Sequence, residues 1–113
     1  MSAITTHVLD TSRGRPAAAV PVALELRAAD GTWGLAGRGV TDADGRLRDL
    51  LNGAPLLVGT YRLTFDTKSY FGAVAIEAFY PEVSVVFEVR DAAAHHHVPL
   101  LLNPFGYSTY RGS

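Results

Sequence analysis

Apolar and polar side chains alternate with a period of two along most of this chain. Within residues 21–28, Val22, Leu24 and Leu26 fall to one side and Ala23, Glu25 and Arg27 to the other. Within 60–67, Tyr61, Leu63 and Phe65 alternate with Arg62, Thr64 and Asp66, and within 83–90, Val83, Val85, Phe87 and Val89 alternate with Ser84, Glu88 and Arg90. Successive side chains of a strand point to opposite faces of its sheet, so each run predicts a half-buried strand. Residues 4–10 place Thr5, His7 and Leu9 on one face and Thr6, Val8 and Asp10 on the other; residues 95–102 lead three histidines into an apolar run. Weaker extended segments are expected at 32–41, from Arg46 onward and at 107–110, and residues 11–21, with Gly14, Pro16 and Pro21, read as a loop. Only 69–79 departs from this period. There Tyr70, Val74 and Ala78 recur every four residues among alanines, which predicts one short helix stopped by Pro81.

Turn chemistry separates these runs: Asp30 and Gly31, Asp42 to Gly45, Asn52 and Gly53, and Asn103 with Pro104 and Gly106. Seven to eight short strands with one short helix predict an all-β fold, an antiparallel two-sheet β-sandwich. The 113 residues suit a single domain over the whole of 1–113.

Composition removes several classes of function. With 10 basic and 11 acidic residues, a net charge of −1 and no block of like charge, nothing points to a nucleic acid or an anionic membrane as partner. The absence of cysteine excludes a disulfide framework, a thiolate nucleophile and a thiolate metal site. No apolar run is long enough to span a membrane, and the beginning of the chain does not read as a secretory leader, so a cytoplasmic location is the expectation.

The candidate chemistry gathers near the other end. Strand periodicity puts His95 and His97 on one face with Cα atoms about 6.6 Å apart, at a rise of about 3.3 Å per residue. The run 98–102, a turn and the segment 107–110 predict a tail that folds back and ends in ordered structure rather than fraying, despite an ordering cost of about 1–2 kcal/mol per residue. Taken singly, each of these residues has an ordinary explanation: a surface histidine, a solvated arginine in the Asp44-Gly45-Arg46 turn, an edge-strand tyrosine.

Taken together, the THVLD stretch ending at Asp10, the Asp44-Gly45-Arg46 turn, the HVPLLL stretch beginning at His97 and the closing Tyr110-Arg111-Gly112-Ser113 resemble, in order and over essentially the whole chain, the 5-hydroxyisourate hydrolase branch of the transthyretin family. The resemblance implies a transthyretin-like, or prealbumin-like, sandwich. It implies a homotetramer, a dimer of dimers, with sites at the dimer–dimer interface. The implied reaction is the hydrolytic opening of the 5-hydroxyisourate ring, a step of urate degradation in purine catabolism, with no cofactor and no metal. Carried over by motif, the catalytic residues are His7, Arg46, His97 and Ser113, and His7, Arg46, Tyr110, Arg111 and Gly112 contact the substrate. His96 receives no role.

Elementary chemistry is compatible with that set. Opening a cyclic amide needs an activated water, a donor for the charge building on the carbonyl oxygen, and groups that hold a planar polar ring. Histidine serves the first near neutral pH, and a guanidinium beside it disfavours imidazolium while offering two parallel hydrogen bonds to the substrate. Either histidine could be the base on this reading. Zinc held by His7, His95 and His97 is a weaker reading, because a guanidinium in the same pocket repels a divalent cation. A serine nucleophile is weaker still, for want of a Gly-x-Ser-x-Gly elbow. The alternative from another class is a transthyretin-like carrier of small hydrophobic ligands. Such a carrier has no use for His7, Arg46, His97 and a polar tail, which are costly to bury unpaired.

Overall fold

The computed structural model describes residues 3–113. The alternating runs become strands β1 (Ile4–Asp10), β3 (Pro21–Arg27), β4 (Trp33–Val40), β6 (Gly59–Phe65), β7 (Val83–Val89), β8 (His96–Asn103) and β9 (Gly106–Thr109). Two-residue strands β2 (Arg15–Pro16) and β5 (Arg46–Leu47) complete the set, with one helix, α1 (Thr67–Ala73).

Two sheets face each other. The first runs β2-β1-β8-β9, with β5 also paired to β1, and the second runs β4-β3-β6-β7. Among the described residues every strand pairing is antiparallel but one: β1 and β8 run parallel, Thr5 opposite His97 and His7 opposite Pro99. Between the sheets lie the inward residues of the period-two runs, among them Ile4, Val8, Leu24, Leu63, Phe65 and Leu100, all fully buried. Each large apolar side chain so buried contributes about 1.5–3 kcal/mol.

The helix is shorter than the 69–79 expected and begins earlier. Asp66 caps it by accepting from the Ser69 amide at 3.0 Å. It closes at Val74, after which Ala75 takes a positive φ of 58° and the Ile76 amide returns to the Phe71 carbonyl. The chain therefore leaves helical geometry before Pro81 can stop it.

At the C-terminal end of β1, Asp10 is fully buried and fully bonded. Its carboxylate accepts from Ser12 Oγ at 2.6 Å, Tyr70 Oη at 2.7 Å, the Ser12 amide at 3.0 Å and the Arg13 amide at 3.2 Å. Burial works to raise its pKa, but these bonds outweigh it and hold the carboxyl below the ordinary carboxylate value.

Candidate active site

The predicted histidines and Arg46 are carried by β1, β5 and β8, on the face of the first sheet turned away from the core, while Arg111 lies in the tail beyond β9. On β1, Ile4, Thr6, Val8 and Asp10 point inward, leaving Thr5 and His7 outward. On β8, His96 is buried between the sheets with Nδ1 donating to the Ala94 carbonyl at 3.0 Å, so His97 turns outward and is half-buried. Parallel pairing then brings Thr5 beside His97.

A tight turn delivers Arg46. Asp42 Oδ1 accepts from the amides of Asp44 at 2.9 Å and Arg46 at 3.0 Å, and Gly45 takes a φ of 76°, a left-handed conformation that costs glycine little. These bonds hold the Asp42 carboxyl below its ordinary pKa, the one from the Arg46 amide most of all, although burial opposes them. The turn leads straight into β5, whose register sets Arg46 opposite His7. His7 Nε2 donates to the Asp44 carbonyl at 2.8 Å, so the same turn fixes the ring of one site residue and the backbone of another.

Thr5 ties the remaining two histidines together. Its Oγ1 lies 2.8 Å from His97 Nδ1 and 2.9 Å from His95 Nε2. The His95 and His97 rings stand 6.3 Å apart, centroid to centroid. Thr5, Thr6, Arg46, Arg48, His95, His97 and Ser113 line a pocket of about 190 Å³. Burial, then the neighbouring His95, His7 and Arg46, lower the His97 pKa from its ordinary 6.5, outweighing a bond to Thr5. A half-buried imidazole that resists protonation can accept a proton from a bound water near neutral pH.

The tail folds back onto this pocket. The Gly112 amide donates to the His97 carbonyl at 2.8 Å, a bridge outside the regular ladder. A Cβ on Gly112 would lie 2.5 Å from His97 Cδ2, so glycine is what allows the tail to lie against the ring. Ser113 then reaches the pocket, whereas Tyr110 and Arg111 line a neighbouring cleft of about 220 Å³ beside β7. Of the predicted residues, Arg46, His97 and Ser113 share the pocket, and His7 stands next to it, opposite Arg46.

Two lining residues carry roles the sequence reading did not give them. Thr5 was placed on the face of His7 by periodicity, but nothing in one sequence says that a threonine hydroxyl will sit between two imidazoles. Arg48, just past the end of β5, lines the pocket as well. The three histidines weighed as zinc ligands do not converge: among the described residues no three His, Asp or Glu side chains group closely enough to hold an ion. A larger hollow of about 600 Å³ over the second sheet is lined by Arg38, Asp66, Lys68 and Glu82 but by no histidine.

The model of the HIUase/Transthyretin family matches residues 4–112. A 5-hydroxyisourate hydrolase of Caulobacter vibrioides is 47% identical over 117 residues, covering 100% of both chains. Among solved structures, the 5-hydroxyisourate hydrolase of Klebsiella pneumoniae superposes with a TM-score of 0.86 at 36% identity, again over 100% of both chains. Sea bream transthyretin in complex with thyroxine superposes with a TM-score of 0.90 at 33% identity, over 98% of this chain and 95% of that one.

Proposed function

The chain belongs to the HIUase/Transthyretin family, and on that premise we propose that it hydrolyses 5-hydroxyisourate with His97 as the base. The reaction opens a cyclic amide in urate degradation and yields a carboxylate-bearing ureidoimidazoline. The observation that carries the mechanism is the difference between the two histidines. His7 Nε2 is committed as a donor to Asp44, whereas His97 is held through Nδ1, and its Nε2 bonds nothing among the described residues. His97 Nε2 takes a proton from water as the oxygen attacks the ring carbonyl. The Arg46 guanidinium holds the substrate and meets the charge that builds on the carbonyl oxygen. His7 offers Nδ1 to a ring N–H of the substrate, Ser113 orients the water, and Tyr110, Arg111 and Gly112 close the side next to β7. His97 then returns its proton to the leaving nitrogen. No step needs a cofactor.

A carrier of apolar ligands fits this face poorly. The transthyretin neighbour shares the fold, but here the outward face bears His7, Arg46, His95 and His97. The chain acts as a homotetramer, a dimer of dimers with sites at the dimer–dimer interface. Edge strands β7 and β9 support that assembly, because Val86, Phe105, Tyr107 and Tyr110 beside them remain exposed.

The test is an ultraviolet time course in which urate oxidase generates 5-hydroxyisourate in situ and this protein is added. Decay should accelerate in proportion to protein, and deletion of residues 110–113 should abolish the acceleration while retaining the β-rich circular dichroism. No acceleration by the intact protein would reject the hydrolytic reading.

A further inference from the structure

The Thr5 hydroxyl has one proton and two imidazole neighbours, at 2.8 Å and 2.9 Å. It can donate to only one of them, so it must accept from the other. Two arrangements satisfy this. In one, His95 donates to Thr5 and Thr5 donates to His97 Nδ1, which forces the His97 proton onto Nε2 and leaves no base toward the pocket. In the other, His97 Nδ1–H donates to Thr5 and Thr5 donates to His95 Nε2, which leaves the lone pair on His97 Nε2.

Burial distinguishes the members of this chain of bonds. Thr5 is buried, His97 half-buried and His95, which lines the same pocket, exposed, so the bonds lead from the more enclosed imidazole to the more open one. Thr5 is itself immobilised, since it lies on β1 directly opposite His97 in the parallel ladder. The groups facing His97 are His95 on its own approach, Thr5 and His7 from β1, Arg46 from β5, Arg48 beside it and the tail at Gly112 and Ser113. None of these is a carboxylate side chain. An orienting acceptor for Nδ1–H, the role a carboxylate fills in a Ser-His-Asp triad, therefore falls to the threonine hydroxyl.

We propose that Thr5 is a positioning residue which, held between His95 and His97, fixes His97 as the Nδ1–H tautomer and makes His95 the outlet for the proton that His97 removes from water. The proposal rests on the hydrolytic reading of this pocket. As the new carbon–oxygen bond forms, a water proton moves to His97 Nε2, the Nδ1 proton moves to Thr5 Oγ1, and the Thr5 proton moves to His95 Nε2. His97 is again neutral, His95 is imidazolium, and the negative charge rests on the former carbonyl oxygen beside Arg46. Expulsion of the ring nitrogen takes the Nε2 proton of His97, and the other two transfers reverse.

The experiment is ¹⁵N NMR of histidine-labelled protein without substrate, paired with the pH dependence of kcat for the same variants. The wild type should show His97 protonated at Nδ1 and unprotonated at Nε2. Thr5→Val, of nearly the same shape, should move His97 toward the Nε2–H form and lower kcat at least tenfold with an altered pH profile, and Thr5→Ser should restore both. His95→Gln can still accept from Thr5 but cannot pass a proton on, so it should keep the tautomer and lose kcat severalfold. A wild-type His97 in the Nε2–H form would overturn the proposal, as would a Thr5→Val protein with unchanged tautomer and kcat. Absence of turnover in a wild type that shows the Nδ1–H tautomer would instead overturn the hydrolytic reading, since the tautomer is read without substrate.

Discussion

Strand β1 carries a hydrogen-bonded polar cluster near each end, and the two are built on opposite rules. At Asp10 the acceptor is a fully buried carboxylate met by two backbone amides and two hydroxyls. Every proton there has one place to be. At Thr5 the partners are two imidazoles and a hydroxyl, each able to give or to take, and one of the rings is open to solvent. The first arrangement is a lock, joining β1 to helix α1 through Tyr70. The second stores alternatives, which is what proton transfer requires. Titration follows the same division: hydrogen bonds pull Asp10 down against its burial, while for His97 burial and the neighbouring His95, His7 and Arg46 act in the same direction.

Arg46→Lys should separate the two ends most sharply. A point ammonium cannot reproduce the two-pronged contact of a guanidinium, so kcat/KM for 5-hydroxyisourate should fall about a hundredfold while the urea midpoint stays within error; near-normal turnover would remove Arg46 from the site. Asp10→Ala should do the converse. It leaves the Tyr70 hydroxyl and the Ser12 and Arg13 amides without their acceptor and should cost about 3 kcal/mol in urea unfolding, with turnover per folded molecule preserved. Loss of activity without loss of stability would merge the two ends into one functional unit.

The smallest effect lies in pH. Because the folded protein holds His97 below 6.5, the acid limb of kcat/KM should have its midpoint below 6.5, and a midpoint above it would assign the limb to another group. The stability sign follows from the same shift. Below pH 6.5 the unfolded chain binds the proton that folded His97 declines, so this histidine makes acidification destabilising.

The sheet framework was legible wherever one face of a strand meets the core and the other meets water, as in 21–28 and 60–67, which became β3 and β6 almost residue for residue. Helix α1 was misjudged at both ends, because the Asp66 cap and the left-handed turn at Ala75 lie outside any four-residue repeat. Parallel pairing of β1 and β8 left no trace in the sequence, since alternation reports a face and not a neighbour. In the candidate site, motif order pointed to His7, Arg46, His97 and the tail, and the fold brings Arg46, His97 and Ser113 to one pocket. The bridging Thr5 was invisible for the reason the parallel pairing was: its contacts depend on which strand lies alongside.

That pairing also governs when the site comes into being. Thr5 and His97 are separated by 92 positions, and between them the chain must make the second sheet, the helix and most of the turns. Contacts of such long range pay their loop-closure entropy before they return anything, and they are characteristic of slow-folding β topologies. A partly folded or partly synthesised chain can hold a good deal of β-sheet without any juxtaposition of Thr5 with the imidazoles. Activity in this protein is therefore a late event in folding, and its recovery on refolding should lag the recovery of secondary structure.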